Sequence, residues 1–172
     1  MEFRKAAYSD INCIMEIIMQ AQAYLSAQGI NQWQNNYPNI DVIKKDIDDK
    51  DSYVLLKDEK IVGTAAVSFK GEKNYQLIYS GKWIGNNEYA VIHRIAIDSY
   101  NKGLGLSSGI IKSIEEMCLS KAVYSIRVDT HKENLSMQRM LQKNSFQYCG
   151  IIHLADKSER IAFEKIIGTV LK

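Results

Sequence analysis

The sequence is short of proline (one), cysteine (three) and histidine (three) among its 172 residues, and it has no marked excess of charge of either sign. A single proline, ten glycines and apolar and charged fractions of 46% and 24% exclude a collagen-like repeat and a disordered chain. Lys and Arg number 22 against 20 Asp and Glu, and no basic stripe is interleaved with aromatics, so no nucleic-acid partner is expected. No apolar run approaches the ~20 residues that cross a bilayer, and no membrane partner is expected. Residues 1–10 carry charges without an apolar stretch behind them and do not read as a secretory signal. Cys13, Cys118 and Cys149 are odd in number, scattered and set in apolar surroundings, with no C-x-x-C pair. They read as reduced core thiols of a cytoplasmic protein. His93, His131 and His153 show no metal-ligand spacing, so no metal is expected.

What is present is a chain near the ~150 residues of a typical domain, long enough to bury about two-thirds of its unfolded surface. No repeat or linker divides it, so residues 1–172 read as one domain. Residues 2–6 read as a short strand, closed by Tyr8-Ser9-Asp10, where Ser9 or Asp10 can cap a helix. Ile11, Ile14, Ile18, Ala21 and Leu25 form the apolar face of that helix. It ends near Gln28, with Gly29 suited to the left-handed position beyond. Residues 31–38 (NQWQNNYP) form a polar and aromatic loop, and residues 41–49 a short helix capped by Asp41. Two β-branched runs, 53–57 and 61–69, flank Asp58-Glu59-Lys60 as a hairpin. Alternating Tyr75, Leu77 and Tyr79 predict an extended segment over 74–84. Residues 89–97 form the strongest strand, with Val91, His93, Ile95 and Ile97 on one side and Ala90, Ile92, Arg94 and Ala96 on the other. Leu106, Ile110, Ile114 and Cys118 mark the next helix, followed by strand 123–129, helix 134–144 and strands 146–153 and 161–167. An antiparallel first half followed by a βαβ unit implies an α+β, α/β-like class built on one mixed sheet.

Three of the glycines, Gly103, Gly105 and Gly109, fall within seven residues, and the segment fits three short patterns. Gly105-Leu106-Ser107-Ser108-Gly109 fits a nucleophile elbow with Asp129 and His153 to follow, but the preceding strand ends too early and Ser107 falls inside a helix. Gly103, Gly105 and Gly109 fit a dinucleotide fingerprint, weakened by the same long gap and by the shortage of βαβ units. The third reading keeps only the shared physics: two glycines admit an anion to the unpaired N–H groups opening a helix. Lys102 can add a charge there, and the helix dipole assists. The bland alternative is that the glycines merely make a tight turn. Gly109 lies inside the helix, where a glycine would allow close packing.

The turn Tyr100-Asn101-Lys102-Gly103-Leu104-Gly105 follows the strand His93-Arg94-Ile95-Ala96-Ile97-Asp98; Ile126-Arg127-Val128-Asp129-Thr130, Asn134 and Phe146 come later. In this order the residues resemble the GNAT superfamily of acetyl-coenzyme A-dependent N-acetyltransferases. The family signature is Arg or Gln, two residues, Gly, one residue, then Gly or Ala. Tyr100 takes the Arg/Gln position and Ser145 that of the usual glycine before Phe146; the first departure removes one donor side chain but leaves the amide cradle. The resemblance spans essentially the whole chain. It implies the acyl-CoA N-acyltransferase fold: a single mixed, mostly antiparallel sheet with a splayed parallel central pair, flanked by helices on both faces. It also implies acetyl-coenzyme A as co-substrate and acetyl transfer to a primary amine of a small molecule or peptide, by direct attack in a ternary complex. Pantetheine would pair with the backbone of Ile95, Ala96 and Ile97, the two isoleucine side chains facing the core. Lys102, Gly103, Leu104, Gly105, Leu106 and Ser107 would hold the pyrophosphate. Asn134 would cap its helix or orient the cofactor.

Acetyl transfer needs a neutral amine, stabilisation of charge on the carbonyl oxygen, and a proton for the leaving thiolate. His93, two residues before Ile95 where family members often carry a carboxylate, is the candidate base; a histidine bonded within the sheet is the plainer account. The family's usual acid, a tyrosine seven residues after the helix-leading asparagine, falls on Leu141. Tyr148 or water is left to donate the proton. Gln28, Trp33 and Tyr37, with Gln32 beside them, would border the acceptor, and Trp83 and Tyr89 would approach from the other side. Trp33 can equally anchor its loop on the core. Two rivals remain: a non-catalytic acyl-coenzyme A-binding sensor, motivated by Leu141, and a hydrolase using Ser107. The acceptor and the oligomeric state are left open, a homodimer included.

Overall fold

Among the residues described by the computed structural model, 1–168, the sequence forms seven strands and four α-helices. In chain order these are β1 (Glu2–Lys5), α1 (Ile11–Ala27), α2 (Ile40–Asp48), β2 (Ser52–Lys57), β3 (Lys60–Ser68), β4 (Ala90–Ile97), α3 (Leu106–Ser120), β5 (Ser125–Thr130), α4 (Leu135–Lys143), β6 (Gln147–His153) and β7 (Glu159–Ile166). Hydrogen-bonded neighbours run β1-β2-β3-β4-β5-β7-β6. The β4–β5 pair is parallel, with Ala90 opposite Ile126 and Val91 opposite Arg127, whereas β1–β2, β2–β3, β5–β7 and β6–β7 are antiparallel. The sheet is therefore mixed and mostly antiparallel, as expected. No helix among the described residues is long and apolar enough to cross a membrane.

Contacts divide the chain into two compact units. The first comprises Met1–Val67 and His93–Ser113, and its core joins Ile11, Ile14 and Ile18 of α1 to Ile43 of α2 and Val54 of β2. In β3, a β-carbon added at Gly63 would meet the Ile97 and Ile110 side chains at 2.8 and 3.1 Å, so only glycine lets this strand lie so close. The second unit comprises Ser68–Ile92 and the described residues from Ile114 on, and one of its cores joins Tyr75, Val91, Ile152 and Ala162.

Several expectations change. The cap of α2 is Asn39, whose side chain accepts from the Asp41 and Val42 N–H groups; Asp41 sits inside the first turn. The 74–84 segment is not extended: a 3-10 turn covers Lys73–Tyr75, Tyr75 is buried, and Leu77 and Tyr79 are exposed. One β-bridge, Tyr79 with Ile151, is all that remains of the alternation there. In β4 the two-residue period breaks at Arg94, which has φ +49°, so Ala96 is buried while Ile95 and Ile97 stay half-exposed. Cys118 and Cys149 are buried, and burial pushes their thiols up to about 12 and about 11, but Cys13 is exposed on the outer face of α1. Gly109 does lie inside α3, yet a β-carbon there would touch nothing within 4 Å, so close packing does not explain it.

Candidate active site

The glycine turn is the first element of the site. The Gly109 N–H donates to the Gly105 carbonyl at 3.2 Å, which makes Gly105 the residue just before α3. The N–H groups of Leu106, Ser107 and Ser108 then have no acceptor within the helix. Gly103 and Gly105 have φ +79° and +74°, and a β-carbon on either would meet no atom within 4 Å. Both points matter: the left-handed backbone requires glycine, and the space beside it is open to a ligand. The turn is tied down where the chain enters it. Asp98 N–H donates to the Val62 carbonyl at 2.9 Å, and Ser99 N–H to the Gln20 side-chain oxygen at 2.7 Å. The Lys102 ammonium lies 4.3 Å above the Tyr24 ring, so its charge is held over an aromatic face beside the turn. Leu104 is exposed and Leu106 buried. Ser107 sits in the first turn of α3, so it is on no strained elbow. The other members of that reading are engaged elsewhere, Asp129 accepting from Tyr75 and His153 lying 3.7 Å from Glu159.

Strand β4 supplies the second element. His93 is half-buried, directly before Arg94. The Arg94 guanidinium meets Asp46 of α2 through two bonds, Nε to Oδ2 at 2.6 Å and Nη2 to Oδ1 at 2.7 Å. Its third group, Nη1, donates to the Tyr37 hydroxyl at 3.0 Å. Burial opposes the arginine's charge, but the Asp46 carboxylate and the Tyr37 hydroxyl outweigh it and hold its pKa above the ordinary value. Tyr37 is thus joined to β4. Trp33, at φ +59°, packs against the core of its unit and also lines a cavity of about 460 Å³ with Met15, Met19, Gln22 and Asn36. That cavity opens on a face of α1 roughly 150° around the helix from Gln20 and Tyr24, at about 100° per residue. Gln28 is the exposed C-cap of α1.

In the second unit, Trp83 and Tyr89 are occupied by a protein side chain. The Arg127 guanidinium carbon lies 4.2 Å from the centre of the Trp83 ring and 3.9 Å from that of Tyr89. Arg127 also donates to the fully buried Glu164 at 3.0 Å, and Glu164 accepts from Ser125 and from the Ile84 and Gly85 N–H groups. These aromatics therefore staple residues 83–89 onto β5 and β7. Tyr75 donates to Asp129 at 2.6 Å, and burial followed by that carboxylate pushes its phenol well above its ordinary range. Asn134 caps α4, its side chain accepting from the Met137 N–H at 3.1 Å. Tyr148 is exposed on β6, edge-on to Phe163 with ring centres 6.0 Å apart.

A family model described as the acetyltransferase (GNAT) family matches residues 18–146. The chain belongs to the GNAT acetyltransferase family. Among solved structures, a GNAT-family acetyltransferase from Streptococcus agalactiae is 34% identical, with 98% of this chain and 96% of that one covered and a TM-score of 0.89. A GNAT-family acetyltransferase from Listeria monocytogenes shares the fold at 18% identity, covering 96% and 94% of the two chains, with a TM-score of 0.74. Comparison with curated proteins finds no sequence match. The chain is thus an acetyltransferase by family, and the matched residues include the glycine turn. Tyr100 is almost fully exposed, and Leu141 is completely buried. Sequence reasoning missed Arg94, Asp46, Gln20 and Tyr24. Arg94 and Asp46 are 48 residues apart, and no local pattern marks their pairing.

Proposed function

We propose that this GNAT acetyltransferase moves the acetyl group of acetyl-coenzyme A to a primary amine of a small molecule or peptide by direct attack in a ternary complex, with residues 1–172 acting as one domain. The observation that carries the reading is the left-handed Gly103–Gly105 turn, open at both β-carbon positions, leading into the amides of a 15-residue helix. Those amides, with Gly103, Leu104, Gly105 and the Lys102 ammonium, fit a pyrophosphate. The bound coenzyme supplies the activated thioester. Backbone groups of Ile95, Ala96 and Ile97 pair with an extended pantetheine chain, and Asn134 holds the start of α4. His93 takes the proton from the attacking amine. As the new N–C bond forms, the C–S bond breaks and sulfur receives a proton from Tyr148 or water. Gln28, Trp33 and Tyr37 border the acceptor; Trp83 and Tyr89, the other aromatic candidates, are stacked on Arg127.

The buried Leu141 favours one alternative, an acyl-coenzyme A-binding domain without turnover, since α4 contains no tyrosine to act as acid. Thiol release from acetyl-coenzyme A across a panel of primary amines separates the two. We expect turnover with at least one amine, reduced 10²–10⁴-fold in His93→Ala, the range of a lost general base, and retained in Ser107→Ala. Tight coenzyme binding without thiol release on any amine would establish the alternative.

A further inference from the structure

Arg94 departs from its strand. It is a non-glycine residue in the middle of β4 with φ in the left-handed region. Such a backbone persists in a strand only where the surroundings over-determine it. Here they do. The side chain is 14% exposed and its partner Asp46 is 12% exposed, and the two-bond fork at 2.6 and 2.7 Å fixes the guanidinium plane. The remaining donor fixes the Tyr37 hydroxyl at 3.0 Å. Asp46 belongs to α2, Tyr37 to the 31–38 loop, and Arg94 to the strand next to His93. One side chain thus connects three segments of the first unit.

A stability role alone is a poor account of this arrangement. Buried ion pairs are weak contributors compared with apolar packing of the same volume, and glycine would adopt the bend without strain. We propose that Arg94 is a positioning residue for acetyl transfer: its guanidinium, forked onto Asp46 and bonded to Tyr37, sets the bend of β4 beside His93 and the amine-side loop as one unit. This rests on the proposed reaction and adds to it a determinant of acceptor geometry. The consequence is a split in kinetic effects. Tyr37 acts on the loop alone, whereas Arg94 and Asp46 act on the loop and the strand together.

The variants are Tyr37→Phe, Arg94→Lys, Arg94→Gly and Asp46→Asn, with thermal melts to establish folding and kinetics in both substrates. Tyr37→Phe is expected to raise the acceptor KM three- to tenfold with little change in kcat. Arg94→Lys, which keeps the charge and loses the fork, is expected to lower kcat at least tenfold and raise the acceptor KM, while the coenzyme A Kd by calorimetry stays within twofold. Asp46→Asn added to Arg94→Lys should cost little more, because the two act through the same contact. Arg94→Gly is the decisive variant, since it keeps the bend and removes the clamp. Wild-type kcat and acceptor KM in Arg94→Gly would overturn the positioning role while leaving the reaction intact. Failure of the wild-type protein to release thiol with any amine would instead overturn the reaction, and the positioning role with it.

Discussion

Asp10 is an acid that ties two elements together. Its carboxylate accepts from the Arg4 guanidinium at 2.8 and 3.1 Å and from the Ala7 N–H at 2.8 Å, joining β1 to the start of α1. The bond from Arg4, opposed by burial and reinforced by Ala7, holds its pKa below the ordinary carboxylate value. An unfolded aspartate titrates near ~3.9. A folded pKa below that means the unfolded chain binds the proton more readily, so the stabilisation is fully present above the unfolded value and is lost as pH falls through the folded one. Hydrogen bonds to charged groups contribute about 1.5–3 kcal/mol, and the neutral amide of Asp10→Asn retains part of the geometry. The variant should therefore be about 1–2 kcal/mol less stable at pH 6, with the difference shrinking towards pH 3. Urea midpoints at pH 6, 4 and 3 measure this; a constant difference would remove Asp10 from the acid limb of the stability profile.

Helix α2 shows what one capping residue does for an element that carries a partner of Arg94. Asn39 accepts from two of the first N–H groups of α2, at 3.1 Å each, and seven residues later the helix presents Asp46 to Arg94. Asn39→Ala should cost about 1 kcal/mol, or roughly 2–4 °C in Tm for a protein of this size, with coenzyme affinity unchanged by calorimetry. The sequence marked this helix but set its cap two residues late, because Asp41 is as good a capping type as Asn39 and only backbone geometry separates them. Elements with a strong period were readable: Ile11, Ile14, Ile18 and Leu25 are all buried on α1, as are Leu106, Ile110, Ile114 and Cys118 on α3. The glycine turn was readable too, since a left-handed backbone leaves a residue-type signature. The Arg94 bend was not, because an arginine at positive φ leaves none, and its explanation lies in an ion pair formed with a distant helix. The segment after β3 failed for a related reason. Tyr75, Leu77 and Tyr79 alternate like a strand, but the bonds to Asp129 and Glu164 that shape residues 75–85 come from β5 and β7.

At the scale of the molecule, Lys and Arg outnumber Asp and Glu by only 22 to 20, so the polyanionic coenzyme of the proposed reaction would not be held by overall charge. On the proposed reading, affinity comes from the Gly103–Gly105 turn, the first amides of α3 and the ammonium of Lys102, all of which lie in the first compact unit. Ligand bound only to the folded chain at about 100-fold its Kd adds ~2.7 kcal/mol, which corresponds to a rise of about 5–10 °C in Tm. If residues 1–172 act as one domain, that rise should appear in a single cooperative transition, although the proposed anion contacts belong to one unit. Two resolved transitions, with only one moved by acetyl-coenzyme A, would instead make the units thermodynamically separate. Gly103→Val tests the origin of the effect. A β-branched residue at φ +79° is strained and lowers the Tm of the free protein by itself. The informative quantity is therefore the ligand-induced shift, not the starting Tm. We expect that shift to vanish in Gly103→Val and to shrink without vanishing in Lys102→Ala. A full shift retained by Gly103→Val would mean that the coenzyme is held somewhere other than the mouth of α3.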